Sequence, residues 1–221
     1  MTHKTKTILC YGDSNTFGFD PSNCLRYPED IRWPGVLREI LGDGYRIIEE
    51  GCNGRTVAYA PLEESWKDGR PYLKACLNSH KPLDAIVLML GSNDLKKEFN
   101  ATPESIAKGI GEMLHTMADF LEEKQGSVPY ILVVSPPEIK EGVFSAAFGP
   151  EFDMDGVIKS RALGAAIEMA AFEYAQSTEN PCGFLDAARI VQPSAEDSLH
   201  LSPEGHRTLA NAIAQTLKAF L

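Results

Sequence analysis

Short apolar runs recur along the chain at residues 6–11, 45–49, 84–90, 129–135 and 183–186, and between them the hydrophobic period lengthens from two towards four. Several runs, Ala85-Ile86-Val87-Leu88-Met89-Leu90 above all, carry no polar alternation. A strand of that kind is covered on both faces, as in a parallel sheet. In the intervening stretches Ile106, Ile110, Met113, Leu114, Met117 and Leu121 make one helical stripe, and Leu163, Ile167 and Ala170 make another. A final helix is predicted from Ser202 as its N-cap and Pro203 in its first turn, with Leu209, Ile213 and Leu217 on its apolar side.

Strands that alternate with helices predict βα units, whose crossovers place helices on both faces of one sheet. The expected fold is a three-layer α/β/α arrangement around five parallel strands in flavodoxin-like order. At 221 residues, with no repeat, low-complexity tract or linker, residues 1–221 read as a single domain. Two long segments, residues 12–31 and 136–155, interrupt the pattern and are rich in Gly, Pro and aromatics. Long loops in small domains often carry function, so Phe17, Phe19, Tyr27, Phe144, Phe148 and Phe152 become candidates for a pocket wall.

Charge narrows the range of partners. With 31 acidic against 21 basic residues the formal net charge is -10, which opposes binding to nucleic acid or to anionic membranes. No apolar run approaches the ~18 residues of a membrane span. Met1-Thr2-His3-Lys4-Thr5-Lys6 leads straight into the first strand without the pattern of a secretory signal. Five cysteines, an odd number without paired spacing, fit a reducing compartment. For a chain that begins at this Met, the expectation is a cytoplasmic protein. No group of His, Cys or carboxylates has metal-ligand spacing, and there is no Gly-x-Gly-x-x-Gly or Walker-type sequence, so neither metal nor cofactor is predicted.

The chemistry gathers at strand ends. Ser14, in Gly12-Asp13-Ser14-Asn15, follows the first strand, and Asp197-Ser198-Leu199-His200 lies near the other end of the chain. An imidazole can make a serine nucleophilic, and an Asp three residues before a His can reach its Nδ1–H around a tight turn. Gly-Asp-Ser alone more often caps a helix. The case rests on joint placement: Gly51-Cys52-Asn53-Gly54 follows the second strand and Gly91-Ser92-Asn93-Asp94 the third, which puts Ser14, Gly54 and Asn93 at the carboxyl edge of one sheet. Asp13 reads as a loop-stabilising carboxylate, and Asp94 as an Asx residue of its own turn. Among five histidines, His3 lies in the terminus, His80 ends a helix and His115 sits within one. His206, without an Asp three residues earlier, reads as a surface or packing residue.

The four markers Ser14, Gly54, Asn93 and His200, in that order, resemble those of the SGNH (GDSL-type) hydrolases. The resemblance runs from the first strand to the last helix and is nearest to the branch of small arylesterases and acyltransferases. Arg32-Trp33, Ile48-Glu49-Glu50-Gly51, Pro82-Leu83-Asp84, Met89-Leu90-Gly91 and Val133-Val134-Ser135-Pro136-Pro137 carry it further. It implies a serine esterase of small esters with short acyl groups, with acyl transfer as a further activity. Ser14 would attack, His200 act as base and then acid, and Asp197 orient the imidazole. The oxyanion hole would comprise the Ser14 and Gly54 N–H groups and the Asn93 amide. Asn15 stands where the family's usual residue is Leu, and with Phe17 and Phe19 it is assigned to the substrate pocket. The branch commonly forms homo-oligomers, and the aromatic loops are expected to meet neighbouring subunits. Two other classes fit parts of the pattern: a flavodoxin-like flavin-binding electron carrier, with Ser14-Asn15-Thr16 cradling a phosphate, and a noncatalytic acyl- or carbohydrate-binding module.

Overall fold

The strand β1 (Lys6–Gly12) passes into a single helical turn α1 (Ser14–Phe17), and a two-residue hairpin follows, β2 (Phe19–Asp20) with β3 (Leu25–Arg26). After α2 (Trp33–Leu41) come β4 (Tyr45–Gly51), α3 (Gly69–His80), β5 (Ala85–Met89) and α4 (Pro103–Gln125). The chain ends with β6 (Tyr130–Ser135), α5 (Met154–Thr178), β7 (Cys182–Asp186) and α6 (Pro203–Lys218). This computed structural model describes residues 5–221, so His3 lies outside the described residues. No described helix is long and apolar enough to cross a membrane.

The five main strands are parallel and ordered β4-β1-β5-β6-β7, the flavodoxin-like order. Every residue of β5 and β6 is buried, which is why those runs show no polar alternation. Alternate side chains feed two cores. Leu9, Tyr11, Ile86 and Leu88 face α3, α4 and α5, whereas Ile8, Cys10, Ala85 and Val87 face α2 and α6. The helices begin where their caps dictate. Thr102 and Ser105 form a reciprocal capping box at α4, Asp153 caps α5 through Gly156 N, and Ser202 caps α6 through Gly205 N.

This order places β1 at the point where successive connections leave to opposite sides of the sheet, and ligand crevices form at the carboxyl ends of strands there. Gly12 pairs with Gly51 of β4 and with Met89 of β5, so the loops after all three strands emerge side by side. Glu49 of β4 fastens the 12–31 segment and α2 beneath that edge by accepting from Arg26, Arg32 and Arg38.

Candidate active site

A Cβ on Gly12 would lie 2.1 Å from Thr16 Oγ1 and 2.7 Å from Met89 O, so β1 can turn straight into α1 only with glycine here. Asp13 caps that turn, its Oδ1 accepting from Asn15 N at 2.9 Å. Burial pushes its carboxyl up to about 6 despite that bond. The turn leaves Ser14 at the mouth of the crevice.

The opposite partner comes from a tightly tied turn. Ser198 N donates to Ser194 O at 2.8 Å, Lys140 N donates to Ser198 O at 3.0 Å, and Ser198 itself takes a left-handed φ of 59°. Asp197 Oδ1 accepts from Leu199 N at 3.0 Å and from His200 N at 2.9 Å. Its Oδ2 lies 2.5 Å from His200 Nδ1, and His200 Nε2 lies 2.8 Å from Ser14 Oγ. Burial alone would raise the Asp197 carboxyl, but the hydrogen bonds from His200 and Leu199 outweigh it and hold the group below the usual carboxylate range. The imidazole sits between two rings, with Phe19 at 4.4 Å and Phe148 edge-on at 5.5 Å.

Asn15 does not line the pocket to which sequence assigned it. It is 2% exposed, its Oδ1 accepts from Leu201 N at 2.9 Å, and its Nδ2 lies 3.5 Å from Leu199 O. Asn15 therefore ties the Ser14 turn to the His200 turn. Phe17 also leaves the pocket, because its ring lies under the Arg26 guanidinium at 4.5 Å. Phe19 does line it.

Asn93 and Gly54 close the other side. Asn93 Nδ2 donates one hydrogen to Arg55 O at 3.1 Å, and Asn93 lies in the crevice wall. Gly54 adopts a φ of 76°, and neither its N–H nor that of Ser14 has an acceptor among the described residues. Arg55 is buried behind this loop, donating to Gly12 O at 3.0 Å and to Glu50 O, with its guanidinium 4.2 Å from the Tyr11 ring centroid. Asp94 corrects the sequence reading. It does not close its own turn but clamps the neighbouring loop, accepting from Val57 N at 2.9 and 3.0 Å and from Ala58 N at 3.4 Å.

Burial raises the Asp94 carboxyl to about 7 in the folded chain. The native state then holds a proton that the unfolded chain releases nearer 3.8, so this group's contribution favours folding at low pH and is lost as pH rises through about 7. Asp94→Asn removes that dependence. The melting temperature of the wild type relative to the variant should fall as pH is raised from about 5 to about 8, as followed by thermal denaturation. A difference between wild type and variant that stays flat over that range would show that Asp94 folds as an ordinary carboxylate.

The crevice encloses about 330 Å³. Ser14 and His200 lie in its lining, Phe19, Phe148, Phe152 and Leu199 supply apolar wall, and Trp66 stands more than half exposed beside the paired side chains Lys67–Glu64 and Lys96–Glu151. The segment after β4, which brings Asn53, Glu64, Trp66 and Lys67, carried no sequence signal beyond its glycines. Tyr27 and Phe144 are not in the wall; Tyr27 packs edge-on against His206 at 5.4 Å. His206 is fully buried, its Nδ1 accepts from Trp33 N at 3.2 Å, and burial lowers it to about 3, so it is a neutral packing residue and not a surface one. Away from the crevice, Glu50, Cys76 and His80 bring one ligand-type atom each within 4.8 Å of one another, with His80 Nε2 2.7 Å from Glu50 Oε1. Linear spacing could not show this group, because β4 supplies one member and successive turns of α3 the other two.

The doubly wound sheet thus sets a serine, an imidazole and a carboxylate in one hydrogen-bonded line at its switch point. Residues 10–208 match the GDSL-like Lipase/Acylhydrolase family, and the chain belongs to it. A carbohydrate acetylesterase family member from Sinorhizobium meliloti is 36% identical, with a TM-score of 0.84 over 97% of this chain and 98% of that one. The M. smegmatis aryl esterase is 30% identical, with a TM-score of 0.88 over 98% of this chain and 100% of the other. The acetylxylan esterase of Xylanibacter ruminicola is 26% identical over 96% of this chain, which spans only 43% of that protein's length.

Proposed function

We propose that the chain is a serine esterase that removes short acyl groups from small esters through an acyl-enzyme on Ser14. The observation that carries this reading is the continuous line from Ser14 Oγ to His200 Nε2 at 2.8 Å and from His200 Nδ1 to Asp197 Oδ2 at 2.5 Å. Ser14 Oγ attacks the ester carbonyl while Nε2 takes its proton, and Asp197 steadies the imidazolium. The carbonyl oxygen becomes an oxyanion, met by the Ser14 and Gly54 N–H groups and the second hydrogen of Asn93 Nδ2. The carbonyl re-forms, the C–O bond to the alcohol breaks, and Nε2 returns the proton to the leaving oxygen. Water repeats the sequence to release the acid; an alcohol in its place would give acyl transfer.

The names of the relatives, acetylesterases and an aryl esterase, support a short acyl group, as does the restricted apolar wall of Phe19, Phe148 and Phe152. The flavin-carrier reading leaves the His200 and Asp197 contacts without a purpose and is not favoured. A fluorophosphonate probe should form one adduct, located on Ser14 by peptide mass spectrometry. In a series of 4-nitrophenyl esters kcat/KM should fall as the acyl chain lengthens beyond propionyl. Folded protein that resists the probe would support the noncatalytic module, and a rate that climbs towards octanoyl would remove the short-acyl assignment.

A further inference from the structure

One face of α3 turns three chemically distinct side chains towards the end of β4. Tyr72, Cys76 and His80 recur at every fourth position, which stacks them on consecutive turns. Opposite them stands Glu50, next to last in β4. Its Oε1 lies 2.7 Å from His80 Nε2 and accepts from Tyr72 Oη at 3.4 Å. Cys76 is fully buried, and its Sγ lies within 4.8 Å of both a ring nitrogen of His80 and a carboxylate oxygen of Glu50. An ion pair between His80 and Glu50 accounts for two of these groups and has no use for the third. Neither the Cys76 thiol nor Glu50 Oε2 has a hydrogen-bond partner among the described residues, so both keep lone pairs free.

We propose that Glu50, Cys76 and His80 form a Zn²⁺ site with three protein ligands and a fourth position open to water. The donor set selects the metal: a thiolate with an imidazole suits zinc, whereas Mg²⁺ and Ca²⁺ take oxygen shells. Tetrahedral ligands ~2.0–2.3 Å from zinc stand roughly 3.3–3.8 Å apart, so the His80–Glu50 contact must open and the sulfur must close in, each by about 1 Å or less. The two ligands that must move most are free to do so. His80 is the last residue of α3, and the His80 and Glu50 side chains are 23% and 18% exposed, which also gives the cation its way in. On binding, the S–H bond of Cys76 breaks, its proton leaves to solvent and its electron pair passes to the metal. His80 coordinates through Nε2 and carries its hydrogen on Nδ1. Tyr72 Oη, already beside Glu50, orients the carboxylate from outside the ligand set. Thiolate, carboxylate and a doubly charged cation sum to zero, so filling the site adds no net charge beside the buried Arg55, whose guanidinium lies 5.8 Å from the Tyr72 ring centroid. Zinc would staple α3 to β4 at a place separate from the crevice.

Cobalt(II) is the probe, because a sulfur ligand and four-coordination each give it a distinct absorption. The full chain, stripped with EDTA and dialysed, is titrated with cobalt chloride at about pH 7.5, where the thiol can be displaced by a metal. Uptake of one equivalent is expected, with a thiolate-to-cobalt charge-transfer band in the near ultraviolet and strong visible bands. One equivalent of zinc chloride should bleach both, and zinc should raise the melting temperature by a few degrees. His80→Gln, at the helix end, should weaken cobalt binding by ~100-fold or more with unchanged circular dichroism. Cys76→Ser should remove the charge-transfer band, and Cys24→Ser, at an exposed thiol elsewhere, should leave it as it is. Should the buried Cys76 position not tolerate serine, His80→Gln decides alone. Folded protein that takes up no cobalt, or shows only the pale six-coordinate spectrum without a sulfur band, overturns the proposal. So does a sulfur band that survives His80→Gln at wild-type affinity or disappears with Cys24→Ser.

Discussion

Ser14→Ala should lower ester turnover by about 10⁴- to 10⁶-fold, the scale expected when the nucleophile of a cooperating triad is removed. The substitution deletes the one atom that forms the covalent bond and leaves His200, Asp197 and the crevice wall in place. Its structural cost is small. Ser14 Oγ makes a single hydrogen bond, 2.8 Å to His200 Nε2, and losing such a bond costs about 1 kcal/mol. The melting temperature should therefore stay within a few degrees of the wild type while 4-nitrophenyl acetate hydrolysis falls to near background. Residual activity above about a tenth of wild type, in protein that melts normally, would mean that Ser14 is not the nucleophile.

Much of this architecture is legible in the chain because long-range order there follows from local pattern. Short all-apolar runs bounded by turn residues fit interior strands, and their alternation with helical stripes leaves few ways to build the sheet. Ser14, Gly54 and Asn93 each follow a strand, so parallel topology alone carries them to one edge. What could not be read was decided by contacts between distant segments. Asn15 sits next to Ser14 in sequence and invites a substrate role, yet its partners, Leu199 and Leu201, lie at the other end of the chain. Asp94 obeys no local turn rule because the unpaired N–H groups of Val57 and Ala58 compete for its carboxylate and win. The β2–β3 hairpin is two residues long on each side, too short for any alternation, and is held by Asp20 accepting from Ser22 and Asn23. Aromatic content in the 136–155 loop said nothing about exposure; packing put Phe152 inside while Phe144 stayed 41% exposed.

Asp197→Asn should reduce kcat by about 10⁴-fold at neutral pH with the fold preserved. The side chain has two duties that the substitution separates. Oδ1 accepts from Leu199 N and His200 N at 3.0 and 2.9 Å, and an asparagine keeps a carbonyl oxygen for both. The amide NH₂ must then occupy the Oδ2 position, 2.5 Å from His200 Nδ1 in the native chain. Two donors cannot face each other, so Nδ1 gives up its proton and accepts from the amide. The imidazole proton moves to Nε2, which now donates to Ser14 Oγ instead of taking its hydrogen. The turn survives and the base is lost. The signature is a kcat deficit with KM little changed, and fluorophosphonate labelling of Ser14 slowed by a similar factor, in protein whose circular dichroism and melting temperature match the wild type. A variant within tenfold of wild-type kcat would show that Asp197 holds the turn and does not set the tautomer of His200.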